Sequence, residues 1–292
     1  MNGILCVDKP AEMTSFACCA VLRRLLGEKK VGHAGTLDPM ATGVLPLMVG
    51  KATRALDFLP CHDKEYIATL RFGYTSNTLD IWGELSPTGG KLPTKAQLEE
   101  VLPSFRGDIL QIPPMISALK QNRVRLYELA RKGVEVPREA RPVTIDALEL
   151  LAFDTAAGEA TIRCHCSKGT YIRTLCDDIG QLLGCGAVMA SLRRTAAAGF
   201  SLDQCVTIET LREMAANDTL AAALLPIDAA FAPYHAITVT EAQATRFQNG
   251  GALDLARLKE PVNEITRVYH PSGTFLGLGR PLNGELAIAK LF

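Results

Sequence analysis

One acid stands apart in this sequence. Asp38 lies within His33-Ala34-Gly35-Thr36-Leu37-Asp38-Pro39-Met40-Ala41-Thr42-Gly43, a run otherwise made of small, apolar and turn-forming residues. Pro39 disfavours the helical conformation at the residue before it, so Asp38 is expected in an extended or turn conformation. Gly32, Gly35 and Gly43 punctuate the run, and together these residues read as a stiff, irregular loop presenting a single carboxylate. The bland alternative is that Asp38 only caps a turn or a short helix beginning at Pro39.

Other chemistry-bearing patterns fare less well. Cys164-His165-Cys166 resembles a metal cluster, but Ala160, Ile162, Cys164 and Cys166 alternate with Thr161, Arg163, His165 and Ser167 as a half-buried strand does. Both thiols then share the apolar face and His165 points the other way, which favours core cysteines. The nine cysteines are odd in number and form no C-x-x-C pair, so neither a disulfide framework nor a common zinc pattern is present. Gly277-Leu278-Gly279 lacks the third glycine of a dinucleotide loop, and no H-E-x-x-H, G-x-S-x-G or P-loop occurs. This points away from a nucleoside-triphosphate or zinc enzyme.

The elements that must position Asp38 follow from hydrophobic patterning. Ile4 to Val7 reads as a short strand ending at Asp8-Lys9-Pro10. Thr14 or Ser15 caps a helix with Phe16, Cys19, Leu22 and Leu26 on one face, closing at Gly27. After the Asp38 loop come a buried segment from Val44 to Val49 and an alternating strand from Lys64 to Phe72. Thr94 caps a surface helix to Val101, and Val124 to Lys132 reads as a helix stopped by Gly133. Val143 to Leu151 and Glu159 to Ser167 form a hairpin. Gly169 then opens a helix whose apolar face carries Ile172, Leu175, Cys176, Ile179, Leu182 and Leu183, ending at Gly184. The Ala- and Pro-rich stretch to His235 marks a domain boundary. From Ala236 to Phe292 short apolar pieces separated by Gly250-Gly251, Ser272-Gly273 and Asn283-Gly284 describe a small β-rich module.

The chain has 292 residues, 48% hydrophobic and 21% charged, the composition of a soluble globular protein. No apolar run approaches the roughly 20 residues of a membrane span, and the N-terminus has no secretory pattern, so a cytoplasmic protein is expected. The formal net charge is zero, but it is unevenly spread: Met115 to Pro142 carries +4 and Val143 to His235 carries −5. A local basic patch on a neutral protein fits a phosphate backbone at one face, or a solvated helix face.

These motifs taken together resemble the TruB family of tRNA pseudouridine synthases over essentially the whole chain. The resemblance rests on Asp8-Lys9-Pro10, on His33-x-Gly35-Thr36-Leu37-Asp38-Pro39-x-Ala41-x-Gly43, on Lys64-x-Tyr66, on Ser117-Ala118-Leu119-Lys120, on Ser167-Lys168-Gly169-Thr170-Tyr171-Ile172-Arg173 and on Leu192-Arg193-Arg194. Ile116 stands where the family more often has Tyr, and Met40 where Leu is common.

The resemblance implies an α+β pseudouridine synthase fold with a mixed, largely antiparallel central sheet. It implies a catalytic domain over residues 1–235 with an RNA-contacting insertion at 115–142, and a PUA-like module over 236–292. The implied reaction converts the uridine at tRNA position 55 to pseudouridine, breaking C1′–N1 and joining C1′ to C5, without cofactor or metal. Asp38 is then the nucleophile or essential carboxylate, Arg173 the cation that keeps it ionised, and Tyr66 the ring that stacks on the base. Tyr171 is a second pocket wall near Asp38, Leu192 the apolar lid beneath the base, and His33 packs into the tRNA loop as the base is flipped. Lys9, Lys120, Arg123 and Arg125 are assigned to substrate binding, with the T arm and acceptor end of tRNA as partners of a monomer. Two rivals share these motifs: a guide-RNA-dependent synthase of the dyskerin type, and a catalytically idle tRNA-binding or folding protein. A hydrolytic glycosylase is disfavoured, because no second acid stands in the motifs to activate water.

Overall fold

The computed structural model describes every residue except Ala118 and Asn122, and Gln121 in its backbone only. Ala118 of the Ser117–Lys120 motif thus lies outside the described residues. The chain begins with β1 (Gly3–Lys9), α1 (Ser15–Leu26), β2 (Val31–His33), β3 (Thr42–Val49) and β4 (Lys64–Phe72). A small hairpin follows, β5 (Tyr74–Ser76) with β6 (Leu85–Pro87), then α2 (Lys95–Val101) and β7 (Gly107–Gln111). The insertion holds β8 (Lys120–Gln121), β9 (Val124–Arg125) and α3 (Leu126–Ala130). After it come β10 (Arg141–Asp154), β11 (Glu159–Cys166), α4 (Ile172–Leu182), β12 (Ala187–Ala197), β13 (Phe200–Ser201) and α5 (Ile208–Ala216). The last part comprises β14 (His235–Thr238), α6 (Glu241–Gln248), β15 (Leu253–Asp254), β16 (Thr266–Tyr269), β17 (Phe275–Leu282) and β18 (Glu285–Leu291).

The large sheet runs in the order β1-β3-β12-β4-β11-β10-β7, with β2 added on β3 and β13 on β12. Its pairings are antiparallel except β12 on β3, where Arg193 lies opposite Thr42 and Arg194 opposite Gly43. That parallel contact carries Arg194 to the end of the Asp38 loop. On β4 the period-2 pattern buries Tyr66, Ala68, Leu70 and Phe72, and the neighbouring β11 buries Ala160, Ile162, Cys164 and Cys166 on the same face. The face is covered by α4 through Ile172, Leu175, Cys176 and Ile179. Each fully buried Leu- or Ile-sized side chain contributes ~1.5–3 kcal/mol, so this layer fixes where α4 begins. His165, on the opposite face, meets the Asp146 carboxylate at 3.1 Å.

The structure revises several details. Phe16 is 66% exposed and Ser15 takes the buried position instead, because the Ser15 hydroxyl engages the Asp38 loop. Phe16 turns outward under the Arg23 guanidinium. Leu182 is likewise exposed, since the apolar face leaves the sheet at the helix end. No helix begins at Pro39: Ala41 N–H donates to Asp38 O at 3.1 Å, closing a single turn before β3. The helix expected over 124–132 shortens to α3, because Val124 and Arg125 pair with β8 and Leu126 N–H is taken by Leu119 O.

The second sheet runs β14-β16-β17-β18-β15. Asn283 and Gly284 both have positive φ, 50° and 80°, the two-residue turn expected of Asn-Gly between strands. This module has its own core around Phe247, Val268 and Leu286. It also meets the rest of the chain through an aromatic seam in which Phe231 lies 5.5 Å from Phe292 and 6.1 Å from Phe275.

Candidate active site

The Asp38 loop is held from three sides. From beneath, Lys9 is fully buried and its ammonium donates to Pro10 O, Met13 O and Pro39 O at 2.7, 2.6 and 3.0 Å. From the start of α1, Ser15 Oγ accepts from Leu37 N–H at 2.8 Å and donates to Leu37 O at 3.1 Å. From β12, the fully buried Arg194 donates to Val44 O, Gly35 O and Thr36 O at 2.7, 3.1 and 3.4 Å. The close approach of β12 requires glycine at 43, where φ is 103° and a Cβ would stand 2.1 Å from Arg194 O. Such a pinned loop holds a side chain in place before any ligand arrives.

Asp38 meets Arg173 there, Nε to Oδ2 at 3.0 Å. The arginine side chain is 5% exposed and the aspartate 33%, so the cation forms the floor and the carboxylate opens outward. Arg173 sits in the first turn of α4 and spends its remaining donors on the backbone, Nη1 on Thr78 O at 3.2 Å and Nη2 on Ile116 O at 2.9 Å. Asp80, 1% exposed, lies 3.9 Å from Nη1 and is itself held by the Thr78 hydroxyl and Trp82 N–H. Arg173 thus joins the Asp38 loop, the Asp80 turn and the start of the insertion. Burial pushes the Asp38 carboxyl above its ordinary range and Asp80 pushes it the same way, while Arg173 and Lys9 pull it down. Arg173 thus acts in the expected direction, favouring the ionised form, against a larger opposing effect of dehydration.

Asp38 opens into a cavity of about 280 Å³ whose walls include Tyr66, Tyr171, Arg173 and Leu192, with Lys64 and Ser117. Tyr66 comes from β4, opposite Arg194 of β12 in the sheet, and burial lifts its phenol to about 12, so it stays protonated. Tyr171 stands at the start of α4, its backbone clamped by Gln111 of β7, which accepts from Tyr171 N–H at 3.0 Å and donates to Tyr171 O at 3.4 Å. Burial raises its phenol pKa as well. Five of the residues singled out in the sequence (Asp38, Tyr66, Tyr171, Arg173 and Leu192) thus share one cavity.

The others stand elsewhere. Lys9 is corrected outright as a substrate-binding residue, since its three donors are spent on carbonyls below the loop and burial lowers it to about 8. His33 lies on β2 outside the cavity lining, lowered from its ordinary pKa by burial and then by Arg194. Lys120 lines a second cavity of about 390 Å³ with Arg138, Arg141 and the apolar Leu119 and Leu126. Arg123 stands at the β8–β9 turn with φ 69°, and Arg125 and Arg131 flank the Tyr127 ring at 5.9 and 5.5 Å. Sequence reasoning missed Asp80. Its only signal is an acid between Leu79 and Ile81 in a turn-rich stretch, which does not reveal a buried arginine 93 positions later. Among the described residues no group of three His, Cys, Asp or Glu side chains is placed to hold a metal.

Comparison with known proteins identifies the family. Residues 23–172 match the TruB family pseudouridylate synthase N-terminal domain, 173–232 the tRNA pseudouridylate synthase B C-terminal domain, and 236–292 the pseudouridine synthase II TruB C-terminal domain. The tRNA pseudouridine synthase B of Stutzerimonas stutzeri is 44% identical over 295 residues, covering 100% of this chain and 95% of the relative. That of Syntrophomonas wolfei is 42% identical over 286 residues, covering 97% and 94%. Among solved structures, an H/ACA RNP bound to a substrate RNA containing 2′-deoxyuridine superposes with TM-score 0.76 at 22% identity, over 99% of this chain and 84% of the other. A Cbf5-Nop10-Gar1 complex gives 0.74 at 23%, over 99% and 84%, and both likenesses speak to the fold alone. With matches along nearly its whole length and a carboxylate–arginine pair opening into a single small cavity, the chain belongs to the TruB family of pseudouridine synthases.

Proposed function

We propose that the chain isomerises a tRNA uridine to pseudouridine, acting at position 55 in the T loop. The observation that carries this reading is the Asp38–Arg173 pair at 3.0 Å, open to a cavity walled by Tyr66, Tyr171 and Leu192. The C1′–N1 bond breaks, the uracil turns within the cavity, C5 bonds to C1′, the C5 hydrogen leaves as a proton, and N1 takes up a proton in its place, so the product is an isomer of the uridine. The rearrangement is redox-neutral. Asp38 supplies the essential carboxylate, Arg173 fixes its direction, and Tyr66 stacks on the base, worth ~1–3 kcal/mol.

The uridine enters by flipping out of the loop, a step costing a few kcal/mol in which His33 takes part by packing into the RNA. Residues 1–235 form the catalytic domain, and the 115–142 insertion with Lys120, Arg123 and Arg125 holds phosphates of the T arm. Residues 236–292 reach toward the acceptor end. The protein works as a monomer in the cytoplasm, without guide RNA.

The test uses purified protein alone and an unmodified T-arm stem-loop tritiated at uridine C5. Release of tritium with the base retained on the RNA supports the reading, and release of free uracil overturns it. Asp38→Asn is expected to bind the stem-loop with unchanged affinity and to lose turnover; retained turnover would remove Asp38 from its role.

A further inference from the structure

Positive charge near the cavity mouth lacks a counter-ion. Buried charges are ordinarily paired with opposite charge, because an isolated ion in a dehydrated site is strongly disfavoured. Asp38 and Arg173 obey this rule. Arg194 does not: it is fully buried, it donates to three backbone carbonyls, and its side-chain partner is the Tyr66 phenol, which stays protonated and brings no negative charge. Lys64, which is only partly buried, does not either. It lines the cavity, and its ammonium donates to His62 O at 2.9 Å. Among the described residues neither cation has a carboxylate within ion-pair distance.

The two cations converge. A Cβ on Gly35 would stand 3.3 Å from Lys64 Cε and 3.6 Å from Arg194 Nη1, so both side chains press on the same point of the Asp38 loop. Burial lowers the pKa of Lys64, with Arg194 next as a cause, the response of a cation held beside another. Lys64 also precedes Tyr66 by two residues on β4, which places both side chains on one face of the strand. A nucleotide whose base lay against Tyr66 would therefore be on the same side of β4 as the Lys64 ammonium.

We propose that Lys64, backed by the buried charge of Arg194, binds a phosphodiester group of the flipped nucleotide, and that this anion completes the charge balance of the cavity mouth. The proposal rests on RNA being the substrate. Lys64 is the direct ligand, while Arg194 stays beneath the loop and adds its field. An ammonium suits this place, since it acts as a compact point charge at the end of a stem that packs on Gly35.

The experiment compares wild type, Lys64→Met and Lys64→Arg on the T-arm stem-loop, measuring Kd against KCl concentration and the single-turnover rate. Lys64→Met keeps the stem and removes the charge. It is expected to weaken binding about tenfold near 0.1 M salt and to flatten the log Kd against log salt slope by about one, with Lys64→Arg close to wild type. Stem-loops carrying one neutral methylphosphonate, 5′ or 3′ to the target uridine, locate the contact. The linkage that Lys64 holds should weaken wild type about as much as Lys64→Met does, and should weaken Lys64→Met no further. An unchanged salt slope in Lys64→Met, or full methylphosphonate penalties at both linkages in that variant, overturns the proposal. Absence of tritium release by wild type would instead count against the isomerase reading, and leaves the binding comparison standing.

Discussion

At the scale of single residues, the carboxylate proposed to react is held in a contradictory setting. The proposed reaction needs Asp38 ionised, yet dehydration and the nearby Asp80 both favour its protonated form, with Arg173 opposing them. Because its pKa is raised in the folded protein, the active form fills only as pH climbs above the ordinary aspartate range. The acid limb of the single-turnover rate is therefore expected to lie above that of a free aspartate. Asp80→Asn removes one of the two raising causes and frees Arg173 to serve Asp38 alone, so the limb should move to lower pH while the maximal rate falls as Arg173 loses a guide. A pH–rate profile of the two proteins decides this, and an upward or absent shift would show that Asp80 does not act through the Asp38 carboxyl. Asp80 also illustrates a general difficulty: its neighbour Arg173 is distant in sequence, and nothing local announces the pairing.

At the scale of elements, the site is a loop trapped between a strand and a helix. Gly43 is the point where the trap is tightest, and Gly43→Ala combines a φ of 103° with a Cβ only 2.1 Å from Arg194 O. The backbone strain alone is worth about 1–3 kcal/mol, and separating β3 from β12 adds to it. Gly27→Ala is the matched control, because its φ of 61° is also left-handed but its Cβ would meet nothing within 4 Å. Thermal unfolding should show Gly43→Ala falling well below Gly27→Ala, and turnover should be lost only in the former. Equal melting temperatures would mean that the loop does not depend on that approach. The loop itself was legible in the sequence, since Gly, Pro and Asp state their backbone preferences locally. So were β4, β11 and α4, whose periods of 2 and 3.6 are strong over their whole length. What holds the loop was not. Lys9 reads as an RNA-binding cation until the fold buries it among carbonyls, and Ser15 reads as a cap until its hydroxyl is seen on Leu37. Residues that bridge separate elements show their use only in three dimensions, and the short α3 likewise lost residues to a strand pairing that periodicity does not encode.

At the scale of the whole molecule, the question is whether the two sheets behave as one body. Interfaces between domains are ordinarily polar and permit relative motion unless they are large and apolar. Here Phe231, fully buried, packs with Tyr234, Phe275 and Phe292, and the seam is reinforced by the Tyr269 hydroxyl donating to Asp228 at 2.6 Å and by Arg267 donating to Tyr234 O at 3.0 Å. Leu278 of β17 belongs to the same buried cluster as Ile4, Val44 and Met48 of the large sheet. A core shared in this way couples the unfolding of both parts. Phe231→Ala, in the seam, and Phe247→Ala, inside the module's own core, should each remove about 3–5 kcal/mol. Calorimetry is expected to show one transition in wild type and in both variants, displaced by similar amounts. If Phe247→Ala instead split off a separate low-temperature transition and left the remainder at the wild-type temperature, the module would be an independent unit joined by a weak contact. The distinction matters for substrate choice, because only a fixed distance between the Asp38 cavity and the second sheet would let the protein gauge an RNA by shape, the way folded RNAs are usually told apart.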